Sequence, residues 1–125
     1  MEIEKILKDI TAISEYKPDW DGYGGLVPDA RCFAAAKQLI YALKDESLVP
    51  PSVTMSSYIV ELYWHDGHET DLYVEFQISK ENPDALEINW YLVNNNTPIE
   101  AGEHCLVSEL IEEIGEYPLK AKFAL

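Results

Sequence analysis

The stretch 58–93, YIVELYWHDGHETDLYVEFQISKENPDALEINWYLV, decides how this chain folds. Val60, Leu62 and Trp64 alternate with Ile59, Glu61 and Tyr63. Leu72, Val74, Phe76 and Ile78 alternate with Asp71, Tyr73, Glu75 and Gln77, and Leu86, Ile88, Trp90 and Leu92 alternate with Glu87, Asn89, Tyr91 and Val93. A period of two sends successive side chains to opposite faces of a strand, so each run has one apolar and one polar face. The stretch predicts three antiparallel strands that share a buried face and turn tyrosines and carboxylates outward.

The first connection tests that pattern. Asp66-Gly67 is the signal of a two-residue hairpin turn, yet such a turn sets Leu62 opposite Asp71 and Val60 opposite Tyr73. A slip of one residue moves every side chain to the other face. The alternation therefore predicts an odd-numbered loop that pairs Leu62 with Leu72 and Val60 with Val74. That register sets Glu61 beside Tyr73 and Tyr63 beside Asp71, and a matching register on the next strand sets Tyr73 beside Tyr91.

Outward from the strands, the period changes to that of helices. Ile3, Ile6, Leu7, Ile10 and Ile13 line one side of Glu2–Tyr16, which ends before Lys17-Pro18 because a residue preceding proline is driven out of the helical region. A second helix from Pro28-Asp29 to about Lys44 turns Phe33, Ala36, Leu39, Ile40 and Leu43 inward. Ser52–Ser57 reads as a short lead-in strand and Asn94–Pro98 as a turn. A last helix is expected from about Glu103 to Ile114, with Leu106, Val107, Leu110, Ile111 and Ile114 inward and Glu109, Glu112 and Glu113 outward. The tail Pro118–Leu125 reads as an edge strand or a contact with a second subunit. The expectation is one α+β domain over 1–125, an antiparallel meander of three to four strands with helices packed on one face, in the order α-α-β-β-β-α.

Between the first two helices lies Trp20-Asp21-Gly22-Tyr23-Gly24-Gly25. Its glycines permit backbone conformations that side chains forbid. The structural reading makes Trp20 a core anchor and Asp21 an acceptor for the amides of the turn. The functional reading makes the loop an anion cradle, although no P-loop Lys-Ser/Thr follows and no dinucleotide-fold strand precedes it. With its flanking helices, the Pro50-Pro51-x-Val approach and the Trp-containing strand, this block resembles a group of small uncharacterised bacterial and phage-associated proteins with a Trp-Asp-Gly-Tyr-Gly-Ala type signature. The chain departs from that signature at Gly25, where alanine is commoner. The resemblance implies a shared fold and a mobile-element or defence-related setting, and it assigns no residue a role.

The charge is uneven. The chain holds 23 acidic and 9 basic residues for a net charge of −14. Residues 1–44 are nearly balanced, whereas 45–116 have Lys80 as their single basic side chain. Such an excess goes beyond what solubility requires. It reflects either general acidity without a specific target or a surface matched to a basic partner. Direct nucleic-acid binding is disfavoured, because phosphate neutralisation takes clustered Lys and Arg and the chain has one arginine. No apolar run is long enough to cross a bilayer, and the start Met1-Glu2-Ile3-Glu4-Lys5 lacks the layout of a secretory signal. Cys32 and Cys105, both in predicted helices, read as small core residues of a reduced protein, with an interhelix disulfide as the alternative. These features point to the cytoplasm.

Candidate chemistry is thin. His65, Asp66, His68, Glu69 and Asp71 crowd the first hairpin, but without the spacing of an established metal site. Glu61, Glu75 and Glu87 supply carboxylates for acid–base work only if a pocket shifts their pKa values. Neither cysteine has an identifiable histidine partner. No cofactor is expected. The pattern fits protein binding better: Tyr63, Tyr73 and Tyr91 lie amid Glu61, Asp71, Glu75 and Glu87, with Glu109, Glu112 and Glu113 adding charge from the last helix. The expected function is a non-enzymatic acidic module that docks a basic nucleic-acid-handling protein, such as a nuclease, a CRISPR effector subunit or a toxin, as an inhibitor, antitoxin or immunity protein. A metal-dependent enzyme built on His65 and His68, or a homodimer without a charged target, are the alternatives.

Overall fold

The computed structural model describes residues 1–125. Five strands form one antiparallel sheet in sequence order: β1 (Ser52–Ser56), β2 (Ile59–His65), β3 (Thr70–Ile78), β4 (Leu86–Asn94) and β5 (Thr97–His104). Helices α1 (Ile3–Ser14), α2 (Ala30–Ala42) and α3 (Val107–Ile114) cover one face. The architecture is α+β, as the hydrophobic periods predict, with two more strands than the three long runs supply.

The alternation within β2, β3 and β4 explains the layering. Val60, Leu62, Trp64, Leu72, Val74, Phe76, Ile88, Trp90 and Leu92 are all buried, and they join Ile6, Ile10, Phe33, Leu39, Ile40 and Leu110 in one core of 24 apolar residues. Burial of a large aliphatic or aromatic side chain contributes about 1.5–3 kcal/mol, so this face fixes which side of the sheet meets the helices. Asp29 caps α2, its Oδ1 accepting from the Arg31 amide at 2.9 Å.

Four expectations are corrected. The β2–β3 register lies one pair further along than the alternation suggested: Leu62 faces Val74 and Trp64 faces Leu72. Parity is kept, so every side chain is on its expected face, but Glu61 now faces Glu75 and Tyr63 faces Tyr73. The region before α3 is not helix. Asn95 and Asn96 both take positive φ, 51° and 63°, as a tight hairpin requires, and return the chain as β5. The last helix thus begins at Val107, which leaves Leu106 and Cys105 exposed outside it; Cys32 is buried, and both thiols are free. The tail is not an edge strand. A helical stretch Gly115–Lys120, interrupted at the extended Tyr117 before Pro118, leads into α4 (Ala121–Phe123), and Leu119 and Phe123 are fully buried. The Val49 amide donates to the Phe123 carbonyl at 2.8 Å, tying the tail to the segment before β1. Finally, Trp20 is not a core anchor. It is half-buried beside Tyr16, with ring centroids 6.1 Å apart.

β5 is a poor strand by composition, and one glycine explains how it fits. A Cβ at Gly102 would stand 2.4 Å from Trp90 Nε1 and 2.6 Å from Glu113 Oε1, so the indole and the α3 carboxylate occupy the space a side chain would need. No helix is long and apolar enough to cross a membrane.

Candidate functional site: the open face of the sheet

The face turned away from the helices is built by the alternate residues of five strands. One row across it reads Ser52, Tyr63, Tyr73, Tyr91 and Ala101; the next reads Thr54, Glu61, Glu75, Asn89 and Glu103. His65, Asp71 and Val93 stand on one side of these rows, with Gln77 and Glu87 on the other. No strand position on this face carries Lys or Arg.

The three tyrosines make a continuous ladder. Ring centroids are 4.9 Å apart for Tyr63–Tyr73 and 4.7 Å for Tyr73–Tyr91, the latter pair stacked within 16°. Such aromatic pairs add about 0.5–1.5 kcal/mol beyond their buried area. The Tyr63 hydroxyl donates to Asp71 Oδ1 at 2.5 Å, and His65 Nδ1 lies 2.6 Å from the same oxygen. The Tyr91 hydroxyl donates to Glu75 Oε1 at 2.9 Å. Gln77 Nε2 and Asn89 Nδ2 both donate to Glu87 Oε1 at 2.9 Å. The Asp71 hydrogen bond holds the Tyr63 phenol above its ordinary range, with burial second; for Tyr91 burial comes first and the Glu75 bond second. Burial, then the charges of Asp71 and Glu61, raise Tyr73. All three phenols therefore remain neutral donors on a preorganised surface.

The least expected feature is Glu61. Its carboxyl is pushed up to about 7, first by burial, then by its neighbour Glu75, with Thr54 opposing. A sheet surface thus holds a half-buried carboxyl pair of the kind expected only in a pocket. Alternation alone hid it, because a register one pair shorter puts Tyr73 where Glu75 stands. The signal that could have found it is loop length: five residues separate the paired His65 and Asp71.

The acidic surface is split in two. Glu61, Tyr63, Asp71, Tyr73, Glu75, Glu87 and Tyr91 come together on the open face, joined by Glu103, which lies in β5 and not in the last helix as its sequence pattern predicts. Glu109, Glu112 and Glu113 are exposed on α3, in the opposite layer. There Glu113 hydrogen-bonds His104 Nε2, and Glu109 lies 3.9 Å from His104 Nδ1.

The glycine loop satisfies itself. Asp21 Oδ1 accepts from the amides of Tyr23 at 2.8 Å and Gly25 at 2.9 Å, which hold its carboxyl below the ordinary range, and Asp19 accepts from Gly24 at 2.6 Å. Gly22 and Gly24 take φ of 75° and 79°. The amides that an anion cradle would need are engaged by the loop's own carboxylates. A Cβ at Gly25 would lie 2.6 Å from Asp21 Oδ2, which accounts for glycine here.

At the first hairpin Asp66 accepts from the amides of His68 and Thr70, and nowhere do three His, Cys, Asp or Glu side chains gather as a metal site requires. Comparison of the chain with protein-family models, curated proteins and solved structures returns no match.

Proposed function

We propose that this protein is a non-enzymatic binding module whose open sheet face docks a basic protein, the class of partner being one that handles nucleic acid, such as a nuclease, a CRISPR effector subunit or a toxin, which it inhibits. The observation that carries the reading is the three-tyrosine ladder bordered by Glu61, Asp71, Glu75, Glu87 and Glu103 on a face without a strand lysine or arginine. Tyrosines offer rigid contact area and a face for guanidinium groups, and carboxylates without a lysine or arginine pair are free to meet cations. Ion pairs with Lys or Arg engage only Asp9, Asp29, Glu46 and Glu116, all away from this face. Surfaces that bind phosphate backbones are rich in Lys and Arg, so an acidic face of this kind competes for them.

Affinity capture from the host tests the proposal. The wild-type protein and an α3 variant, Glu109→Lys with Glu112→Lys and Glu113→Lys, are expected to retain the same basic protein, released near about 0.5 M salt, where screening is nearly complete. Glu61→Lys with Glu75→Lys is expected to lose it. Retention by the sheet variant would contradict the proposal.

A further inference from the structure

We infer that docking on this face is proton-linked: a proton held at Glu61, directly opposite Glu75, is displaced to solvent when a cationic partner binds beside the pair. The inference rests on the proposed function and names how that site is regulated.

Glu61 and Glu75 are direct cross-strand partners on β2 and β3, both half-buried, and neither belongs to an ion pair. Like charges directly opposite in a sheet repel. A proton held at Glu61 removes that repulsion, as in other close carboxyl pairs.

Hydroxyls of Thr54 and Tyr91 give the pair partial relief, but no strand around it supplies a positive charge. β1 presents Ser52, Thr54 and Ser56, none charged. β2 and β3 add Tyr63, Tyr73 and Asp71, with His65 beyond them, and Asp71 is already engaged by Tyr63 and His65. β4 adds Tyr91 and Glu87, the first donating to Glu75 and the second engaged by Gln77 and Asn89. β5 adds Glu103, a further negative charge opposite Asn89. Lys80, in the loop after β3, stands with Glu81, Glu87 and Glu103 at the far end of the face. Burial and Glu75 lift Glu61 to about 7, in keeping with this arrangement. A guanidinium laid over the Tyr73–Tyr91 stack beside the pair supplies the missing positive charge, and the proton leaves to solvent.

Calorimetric titration with a nona-arginine peptide, in two buffers of different ionisation heat, tests the linkage. The His65→Gln background removes the one imidazole of the face. In that background affinity is expected to rise up to about tenfold from about pH 6 to about pH 8, with roughly half a proton released per peptide at about pH 7. Adding Glu61→Gln is expected to lower the affinity at about pH 8 to about that of the parent at about pH 6, and so to abolish both effects. Binding that is independent of pH and releases no proton would overturn the inference and leave the docking face standing. Equal pH dependence with and without Glu61→Gln would likewise overturn it. Absence of peptide binding at low salt and at every pH would sink the docking face itself.

Discussion

Glu61 on β2 stands directly opposite Glu75 on β3, and one of the latter's oxygens already accepts a hydrogen bond from Tyr91. The Glu61 carboxyl sits at about 7 against a reference of 4.5, so the folded chain binds a proton that the unfolded chain has lost over that interval. This group favours folding fully below its unfolded pKa, and the contribution disappears as pH rises through the folded value. Glu61→Gln is therefore expected to stabilise the protein by about 1 kcal/mol at about pH 8, discounted for half exposure, with no gain at about pH 4. Thermal unfolding at the two pH values reads this as a Tm rise of about 4 °C at the higher one only.

Gly102 is the strand position that lets Trp90 and Glu113 close over β5. Gly102→Ala drives a methyl group into both and is expected to cost about 1–3 kcal/mol, the range of an overpacked site. Denaturant unfolding measures the loss, and a change in tryptophan emission is expected with it.

Trp64 is fully buried, and its indole N–H has no acceptor. A buried donor left unpaired already lowers stability. Trp64→Phe removes that donor along with some volume, so its net cost is expected to stay near about 1 kcal/mol, while Trp64→Ala costs about 3–5 kcal/mol. Comparison of the two variants by chemical denaturation separates cavity from polarity.

Cys32 is buried, with its thiol pushed up to about 11 by desolvation, whereas Cys105 is exposed in the bend before α3. Iodoacetamide under native conditions is expected to label Cys105 alone, and to reach Cys32 only after unfolding. Intact mass before and after denaturant reads the count.

How far the sequence reveals this molecule differs from element to element. The sheet's inner face was legible, because Val60 to Leu92 alternate with large apolar residues that have nowhere to go but a core. The Tyr73–Tyr91 contact was legible for the same reason. β5 was not, since its positions facing the helix layer hold Glu100, Gly102 and His104 in place of large apolar residues, and its signal is the Asn95-Asn96 turn with both residues at positive φ. The β2–β3 register escaped because alternation fixes only whether a pairing is odd or even. A shift of one pair leaves burial unchanged, yet it decides whether Glu61 meets a phenol or another carboxyl. The α3 glutamates looked continuous with the sheet tyrosines in sequence, and the layering separates them.

Tyr73 is the middle rung of the ladder, and its loss is expected to matter more than that of any single carboxylate. Tyr73→Ala should weaken nona-arginine binding by about 2 kcal/mol, the scale of a central aromatic anchor, against about 1 kcal/mol or less for Glu87→Gln at the margin. Calorimetry on the two variants compares them.

The docking face itself is tested most directly by mapping nona-arginine onto the protein with NMR chemical shifts at low salt. The account predicts that the ring signals of Tyr63, Tyr73 and Tyr91 and the side chains of Glu61 and Glu75 move together, and return to their free positions in about 0.5 M salt. Shifts confined to Glu109, Glu112 and Glu113 on α3, or to the outer surface of α1 and α2, would contradict it.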